Sequence, residues 1–268
     1  MPSTRVAIAG LGAIGRALTR RLAEGVPGVT LACVAARDQA KARAWLDAQR
    51  IACPLVGLDE FPLLADLAVE CAPAAVLEDI CRPMLAAGKR VMVLSAGALL
   101  PRPHLIELAK STGGQIIVPT GALLGLDAVS AAAEGAISSV RMVTRKPPTG
   151  LMGAPYLVKN GIAVAGLNAA KCVFAGSARE AAAGFPENVN VVAALSLAGI
   201  GPDRTTIEIW ADPAVARNCH SIEVESDSAR FSLAIENIPS ENPKTGRITA
   251  LSALAALRKL HAPLRVGT

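Results

Sequence analysis

The chain has 268 residues, of which 52% are hydrophobic, 18% are charged and 3% are aromatic, and its formal net charge is +5. This composition can bury a sizeable core and excludes a disordered chain, while the length favours two closely packed lobes. The basic residues are scattered and no basic-aromatic motif is present, which argues against a nucleic-acid partner. The apolar stretches end well before the roughly 18 residues that a membrane span needs, and the start MPSTRVAIAG lacks a secretory signal pattern. We therefore predict a cytoplasmic protein with no membrane partner.

The first 120 residues alternate between short apolar runs and helical patterns. Such alternation predicts an α/β fold, with a Rossmann-type, doubly wound parallel sheet over residues 1–122. Asp38 is positioned to cap a helix that runs through Arg50. The runs that we interpret as strands are RVAIAG, VTLACVAA, LAVECA, RVMVLSAG and QIIVPTG.

The rhythm changes after Gly125, where a helical pattern leads to the strand pattern ISSVRMVTR. Two helical stretches then precede three strand-like segments, TTIEIW, HSIEVES and ARFSLAIEN, whose short connections suggest antiparallel pairing. We predict an α+β domain for substrate binding and dimerisation over residues 123–241. Residues 242–268 contain a helix, RITALSALAALRKL, that we expect to pack back on the first domain.

A GxGxxG motif lies between the first predicted strand and a helix, at Gly10, Gly12 and Gly15. The first glycine permits a tight turn, the second a close approach of a pyrophosphate, and the third close packing of helix on strand. The amides that open the helix, at Ala13 and Ile14, face the anion. This arrangement predicts a dinucleotide site; the alternative is a glycine-rich turn that serves packing alone.

The tip of the second predicted strand reads Ala35, Ala36, Arg37, Asp38, without the usual acidic residue for the adenosine ribose. A guanidinium at Arg37 suits a 2′-phosphate, so we predict NAD or NADP as cofactor, with NADP accepted. The alternative is that Arg37 is a solvated surface charge. Ser95 and Ala96 follow another apolar strand, where their small size admits the nicotinamide, although packing explains them nearly as well.

Six stretches of the chain resemble the L-aspartate dehydrogenase family: VMVLSAGAL, VPTGALLGLD, VTRKPP, FAGSAREAAAGFPENVNVVAALSLAG, ADPAVARNCHSIEV and ENPKTGRITALSAL. The resemblance implies NAD(P)-dependent oxidation of L-aspartate to iminoaspartate, which yields oxaloacetate and ammonia or feeds NAD biosynthesis, by a homodimer. It places the catalytic histidine at His220 and cofactor contacts at Asn190 and the backbone of Leu124. Leu124 stands where relatives often have alanine, Thr120 replaces a frequent serine, and Val192 stands where alanine is common.

Histidine suits this chemistry because a neutral imidazole accepts a proton near physiological pH. We assign His220 as general acid/base, with Asn218 as an orienting neighbour that could also contact substrate; the alternative is a strand-start histidine bonded to the backbone. Strand alternation should turn Cys219 away from it. His104 and His261, at helix ends, are expected to be structural.

The two carboxylates of aspartate require cationic or polar partners. Candidates are Lys146, with its neighbour Arg145, and Lys244 and Thr245, with Asn242. We expect Asn188 to cap the helix that Asn190 opens. No cysteine spacing indicates a metal, so we predict none, with the six cysteines as reduced thiols.

Two other functions remain open on sequence grounds. One is a related amino-acid-pathway oxidoreductase, similar to homoserine dehydrogenase or dihydrodipicolinate reductase. The other is a sensor that binds NAD(P) without turnover.

Overall fold

The computed structural model describes residues 3–186, 188–239 and 246–267. The chain divides into two compact units, Met1–Pro119 with Ala250–Arg265, and Thr120–Thr249 with Val266–Thr268. Among the described residues, no helix is both long enough and apolar enough to cross a membrane.

The first unit contains a parallel five-stranded sheet in the order β2-β1-β3-β4-β5, which confirms the predicted Rossmann-type fold. Its strands are β1 (Thr4–Ala9), β2 (Val29–Ala35), β3 (Leu67–Glu70), β4 (Arg90–Val93) and β5 (Gln115–Ile117). Its helices are α1 (Ala13–Ala23), α2 (Gln39–Ala48), α3 (Phe61–Leu64), α4 (Leu77–Ala86), α5 (Ala96–Leu99) and α6 (Pro103–Thr112).

Two hydrophobic clusters cover the opposite faces of this sheet, because successive side chains of each strand point to opposite sides. In β1, Ala7 and Ala9 join the cluster that α4 and α6 supply, whereas Val6 and Ile8 join the cluster of α1 and α2. The last helix, α11 (Ile248–Lys259), adds Ala253, Leu254 and Leu257 to this second cluster. Helices therefore lie on both faces, as in a doubly wound sheet.

Helix α2 confirms the predicted cap at Asp38 but ends earlier than predicted. Asp38 is the N-cap, and its carboxylate accepts a hydrogen bond of 2.9 Å from the Lys41 amide. The helix ends at Ala48 rather than at Arg50, which adopts a left-handed conformation with φ of 55°. Such a residue ends a helix because the helical hydrogen-bond pattern cannot continue through it.

The second unit is α+β, with a mixed five-stranded sheet in the order β10-β9-β6-β8-β7. Its strands are β6 (Ile137–Lys146), β7 (Lys171–Ser177), β8 (Thr205–Ala211), β9 (Asn218–Ser226) and β10 (Arg230–Asn237). Its helices are α7 (Leu126–Ala133), α8 (Pro155–Lys159), α9 (Ala178–Gly184) and α10 (Asn190–Ala198).

The strand pairing in this unit corrects the sequence analysis in two respects. Strands β9 and β10 form the expected antiparallel pair, but β8 pairs with β6 in parallel, so β6 lies between β8 and β9. The link at residues 212–217 crosses the end of β6, where the Asp212 amide donates to the Lys146 carbonyl over 2.8 Å. The segment KCVFAGS lies in the region where the sequence predicts only helices, but it forms the edge strand β7.

One face of this second sheet is buried under helices. Buried residues alternate along β9, at Asn218, His220, Ile222 and Val224. On the neighbouring β6, Thr144 lies directly opposite His220 and shares its face. Helices α9 and α10 pack on β8, so the imidazole enters the helix-covered side of the sheet.

Candidate active site

The three glycines of the turn in the first unit differ in how much space surrounds each of them. Gly10 has a φ of 98°, and a Cβ placed there would lie 2.7 Å from the Cys71 carbonyl oxygen. A Cβ at Gly15 would collide with the Gly10 carbonyl oxygen, so helix α1 approaches the turn closely. A Cβ at Gly12 would meet no atom within 4 Å. The second glycine therefore faces open space, as a site that receives a ligand requires.

The start of α1 is suited to an anion. Gly12 is the N-cap and has no side chain to satisfy the first helical amides, which include those of Ala13 and Ile14. Uncapped amides and the positive end of the helix dipole together bind phosphate groups. The residues present therefore fit a dinucleotide pyrophosphate.

The ribose-side candidates have separate roles. Asp38 is used as the cap of α2, while Arg37, just after β2, is exposed. The guanidinium is thus accessible to a ligand, and the displaced acid has a structural role instead.

Ser95 and Ala96 lie at the carboxyl end of β4, where α5 begins. Ala96 is buried, and the Ser95 hydroxyl donates to Oε1 of Glu70 over 3.1 Å. Glu70, a buried carboxyl at the end of an otherwise apolar strand, was not among the residues predicted from the sequence. The signal for it is the single acidic residue that ends the apolar run LAVECA.

His220 lies on β9 in the second unit and is 4% exposed. Its Nδ1 is 3.1 Å from Thr144 Oγ1, the cross-strand neighbour on β6. The ring is therefore oriented by a side chain, and the alternative of a histidine bonded to the backbone is not what the structure shows for Nδ1. Cys219 lies on the opposite face of the strand, as strand alternation predicts.

Burial is the main reason why the pKa of His220 falls to about 3, and the positive charge of Lys146 lowers it further. Both effects disfavour the imidazolium. At neutral pH the ring is uncharged, with one nitrogen able to accept a proton.

Lys146 ends β6 and is 3% exposed. Its Nζ donates to Oδ1 of Asn188 over 2.7 Å, because a buried ammonium requires acceptors. This contact corrects the prediction that Asn188 caps α10: the N-cap is Val189, and no side chain caps the helix. Asn190 is the first residue of α10 and is half-buried.

Arg145 alternates to the opposite face of β6 from Lys146. Its guanidinium lies 4.7 Å from the centre of the Trp210 ring and donates to Oδ2 of Asp212 over 3.1 Å. Asp212 also accepts from the Ala214 amide over 2.9 Å and so holds the turn before β9. Arg145 therefore stabilises this turn and lies on the opposite face of the sheet from His220, while its contact with substrate stays a prediction.

Two asparagines face each other beside the histidine, at the ends of β9 and β10. Asn218 is 8% exposed and lies on the same face as His220. Its cross-strand partner Asn237, which the sequence analysis missed, donates to the Ala122 carbonyl over 2.9 Å. This bond ties β10 to the link before α7, where Leu124 is half-buried. Lys244, Thr245 and Asn242 lie outside the described residues.

The other histidines are in the first unit. His104 is exposed and lies 3.1 Å from Oε1 of Glu78. His261 follows α11, and its Nε2 lies 2.8 Å from Thr4 Oγ1. Thr4 Oγ1 also accepts from the Arg90 guanidinium over 3.3 Å. The structural roles of His104 and His261 stay predictions.

A Rossmann-type unit with an open glycine turn, together with a unit that holds a neutral, buried imidazole, defines the class of nicotinamide-dependent dehydrogenases. Residues 10–119 match the family "Homoserine dehydrogenase, NAD binding domain", and residues 127–260 match "Aspartate dehydrogenase, C-terminal". The cofactor is accordingly NAD or NADP.

Relatives of known name match the whole chain. L-aspartate dehydrogenase 3 of Bordetella bronchiseptica is 59% identical, covering 98% of this chain and 97% of its own. The L-aspartate dehydrogenase of Bradyrhizobium diazoefficiens is 57% identical over 98% and 94%. The crystal structure of aspartate dehydrogenase from Thermotoga maritima matches with a TM-score of 0.74 at 26% identity, covering 98% and 99%. The chain belongs to the L-aspartate dehydrogenase family.

The buried histidine should make the stability of the protein depend on pH. The pKa of His220 is about 3 in the folded protein, against an ordinary value of 6.5. Between these values the unfolded chain binds a proton that the native ring does not. The free energy of unfolding therefore falls as the pH drops below about 6.5, by up to about 1.4 kcal/mol per pH unit for this group.

We expect His220→Gln to remove this contribution. Urea unfolding at several pH values between about 5 and 7.5 should show the wild type losing its stability advantage over the variant as the solution becomes more acidic. The control His104→Gln, at an exposed position, should follow the wild-type pH dependence. A constant difference between wild type and His220→Gln would show that the pKa of His220 is the same in the native and unfolded states, and would contradict its lowered value.

Proposed function

We propose that this protein catalyses the NAD(P)-dependent oxidative deamination of L-aspartate to iminoaspartate, which hydrolyses to oxaloacetate and ammonia, or the reverse reductive amination. The full-length relatives that are named L-aspartate dehydrogenase support L-aspartate as the substrate. The structural observation that carries the proposal is the neutral imidazole of His220 next to the ammonium of Lys146, both on the covered face of the second unit. A base and a fixed positive charge suit an amino acid with two carboxylates.

The bound cofactor supplies the hydride acceptor for the α-carbon of the substrate. In the first unit, Gly10, Gly12, Gly15 and the amides of Ala13 and Ile14 would hold the pyrophosphate. Arg37 would meet the adenosine ribose or its 2′-phosphate, and Ser95 and Ala96 would meet the nicotinamide half. Leu124 and Asn190 remain the proposed cofactor contacts of the second unit.

His220 acts as general acid/base. The amine of aspartate must be unprotonated before hydride transfer, and a neutral ring can accept its proton. We infer that Nδ1–H donates to Thr144 Oγ1, which leaves the lone pair of Nε2 for substrate. Because the ring is buried and its pKa is lowered, it stays unprotonated until substrate binds. The ring also serves the later hydrolysis of the imine, as donor or acceptor.

Lys146 is the proposed partner of one substrate carboxylate, and Asn188 holds its ammonium in place. A carboxylate bound there also changes the base. It offsets the positive charge that lowers the pKa of His220, so the imidazole becomes more basic when substrate is present. Asn218, Lys244 and Thr245 are the further proposed substrate contacts.

The assignment of functions to domains is also a proposal. Residues 1–122 would bind the dinucleotide, residues 123–241 would bind substrate and dimerise, and residues 242–268 would complete the first domain. Free thiols at all six cysteines support a reducing, cytoplasmic location. A homodimer is the assembly that the family resemblance favours.

The two other functions that the sequence left open have weaker support. The family match that names homoserine dehydrogenase covers only the NAD-binding half, which does not choose the substrate. A sensor would have no need of a buried, uncharged base beside a cation. The catalytic interpretation accounts for both groups.

We expect His220→Ala to lose turnover by about 10²- to 10⁴-fold, the range typical of general acid/base groups. Dinucleotide affinity, measured by fluorescence titration, should stay near the wild-type value because the glycine turn is unchanged. His104→Ala serves as the matched control and should keep full activity. Cofactor reduction would be followed with L-aspartate, homoserine, alanine and glutamate as alternative substrates.

Two results would contradict this function. Undiminished turnover of His220→Ala would exclude the histidine as the base. Wild-type activity with homoserine but not with aspartate would exclude the substrate.

Arg37→Ala should weaken the binding of NADP more than that of NAD, because only NADP presents a 2′-phosphate to the exposed guanidinium. The dissociation constants of both cofactors would be measured for the variant and for Arg21→Ala, an exposed arginine in the last turn of α1. The control should bind both cofactors as the wild type does. Equal effects of Arg37→Ala on the two cofactors would make Arg37 a general surface charge.

A further inference from the structure

Glu70 is a buried carboxyl group at the carboxyl end of β3. Its residue is 0% exposed. In the sheet it lies between Ala9 of β1 and Val93 of β4, the strands that precede the glycine turn and α5. A carboxyl group at this depth is costly unless hydrogen bonds compensate it.

Three hydrogen bonds compensate the Glu70 carboxyl. Oε2 accepts from the amides of Leu94 and Ser95, over 3.1 and 2.8 Å. Oε1 accepts from the Ser95 hydroxyl over 3.1 Å. No salt bridge to Glu70 occurs within the described ranges, so neutral donors carry the compensation. Burial nevertheless raises the pKa of Glu70, while these hydrogen bonds lower it.

These bonds join the segments that follow β3 and β4. The Cys71 carbonyl, one residue beyond Glu70, is also the group that a Cβ at Gly10 would approach to 2.7 Å. The end of β3 therefore lies between the glycine turn and the link at residues 94–96. In a parallel sheet these carboxyl ends form the crevice that receives the ligand.

The sheet order indicates which part of the cofactor this link meets. The tip of β2, on one side of β1, is the ribose side, and the start of α1 after β1 suits the pyrophosphate. The nicotinamide half must then extend to the other side of β1, over the ends of β3 and β4. Ser95 and Ala96 lie at this edge.

We propose that Glu70 is a positioning residue that holds the link at residues 94–96 in the conformation that receives the nicotinamide half of the cofactor. The proposal deepens the proposed function, and it rests on the use of NAD or NADP by the first unit. Glu70 itself acts through Leu94 and Ser95 and need not touch the cofactor.

The hydrogen-bond pattern predicts which substitutions Glu70 tolerates. In Glu70→Gln, the amide oxygen can accept from both backbone amides, and the amide nitrogen can donate to the Ser95 hydroxyl, which then acts as acceptor. In Glu70→Leu, of similar size, both backbone amides lose their acceptor. Glu70→Gln combined with Ser95→Ala leaves the introduced amide nitrogen without its acceptor.

The experiment compares cofactors with their nicotinamide-free halves on the ligand-free protein. The probes are NADH with ADP-ribose, and NADPH with 2′-phospho-ADP-ribose, titrated calorimetrically without aspartate. Glu70→Leu should weaken NADH and NADPH by about tenfold or more, the effect of one or two lost buried hydrogen bonds. It should leave the nicotinamide-free halves within about threefold, because the glycine turn that binds them is intact. Glu70→Gln should bind all four probes as the wild type does.

The possible outcomes separate cleanly. Equal weakening of whole cofactors and halves by Glu70→Leu would make Glu70 a general support of the unit and overturn the proposal, as would unchanged binding of all probes. If Glu70→Leu does not fold, a double-mutant cycle of Glu70→Gln, Ser95→Ala and Glu70→Gln/Ser95→Ala decides. A selective loss of whole-cofactor affinity in the double variant that exceeds the sum of the two single losses supports the proposal, and additive losses overturn it. Since no aspartate is present, an error in the substrate assignment would leave this test unaffected.

Discussion

A buried ammonium beside a buried imidazole is the constraint on which the second unit depends. Lys146 and His220 come from the neighbouring strands β6 and β9, whose register sets Thr144 directly opposite the histidine. Both side chains are almost completely removed from water, so each must find partners within the fold. Asn188 supplies one for the ammonium and Thr144 one for the imidazole. Burial and, to a lesser extent, the positive charge of Lys146 keep the ring neutral, which is the state that a base requires.

The same arrangement supports the proposal that Lys146 binds an anionic substrate. A carboxylate at this ammonium would offset the positive charge and so remove the smaller of the two causes that lower the pKa of His220. In the proposed mechanism, substrate binding and the basicity of His220 are therefore coupled through Lys146. The first unit has features that suit a dinucleotide: open space at Gly12 and uncapped amides at the start of α1. Each unit is therefore specialised by a few polar groups at the ends of its strands.

The sequence was most informative where local geometry alone determines the structure. The glycine turn and the cap at Asp38 depend on residues within a few positions of each other, and both were predictable. The parallel pairing of β8 with β6 was not, because it depends on a long strand inserting between two segments that are adjacent in sequence. The edge strand β7 was missed because its short, mixed pattern lacks strict alternation.

The site residues divide in the same way. The family resemblance and the chemistry of imidazole led to His220, and the charge of the side chain led to Lys146; their roles stay predictions. Asn188, Asn237 and Glu70 take their importance from partners 42, 115 and 24 positions away, which no local pattern discloses. The contacts of Arg145 with Trp210 and Asp212 could not be predicted either, because they depend on how β8 and the following link lie beside β6.

The protonation of His220 in solution tests the central claim most directly. ¹⁵N NMR of the imidazole nitrogens, with the His220 signals assigned by their loss in His220→Gln, reports both charge and tautomer. We expect a neutral ring with its proton on Nδ1, unchanged from about pH 8 to about pH 5 in the substrate-free protein. An imidazolium forming near the ordinary histidine pKa, or a neutral ring with its proton on Nε2, would contradict it.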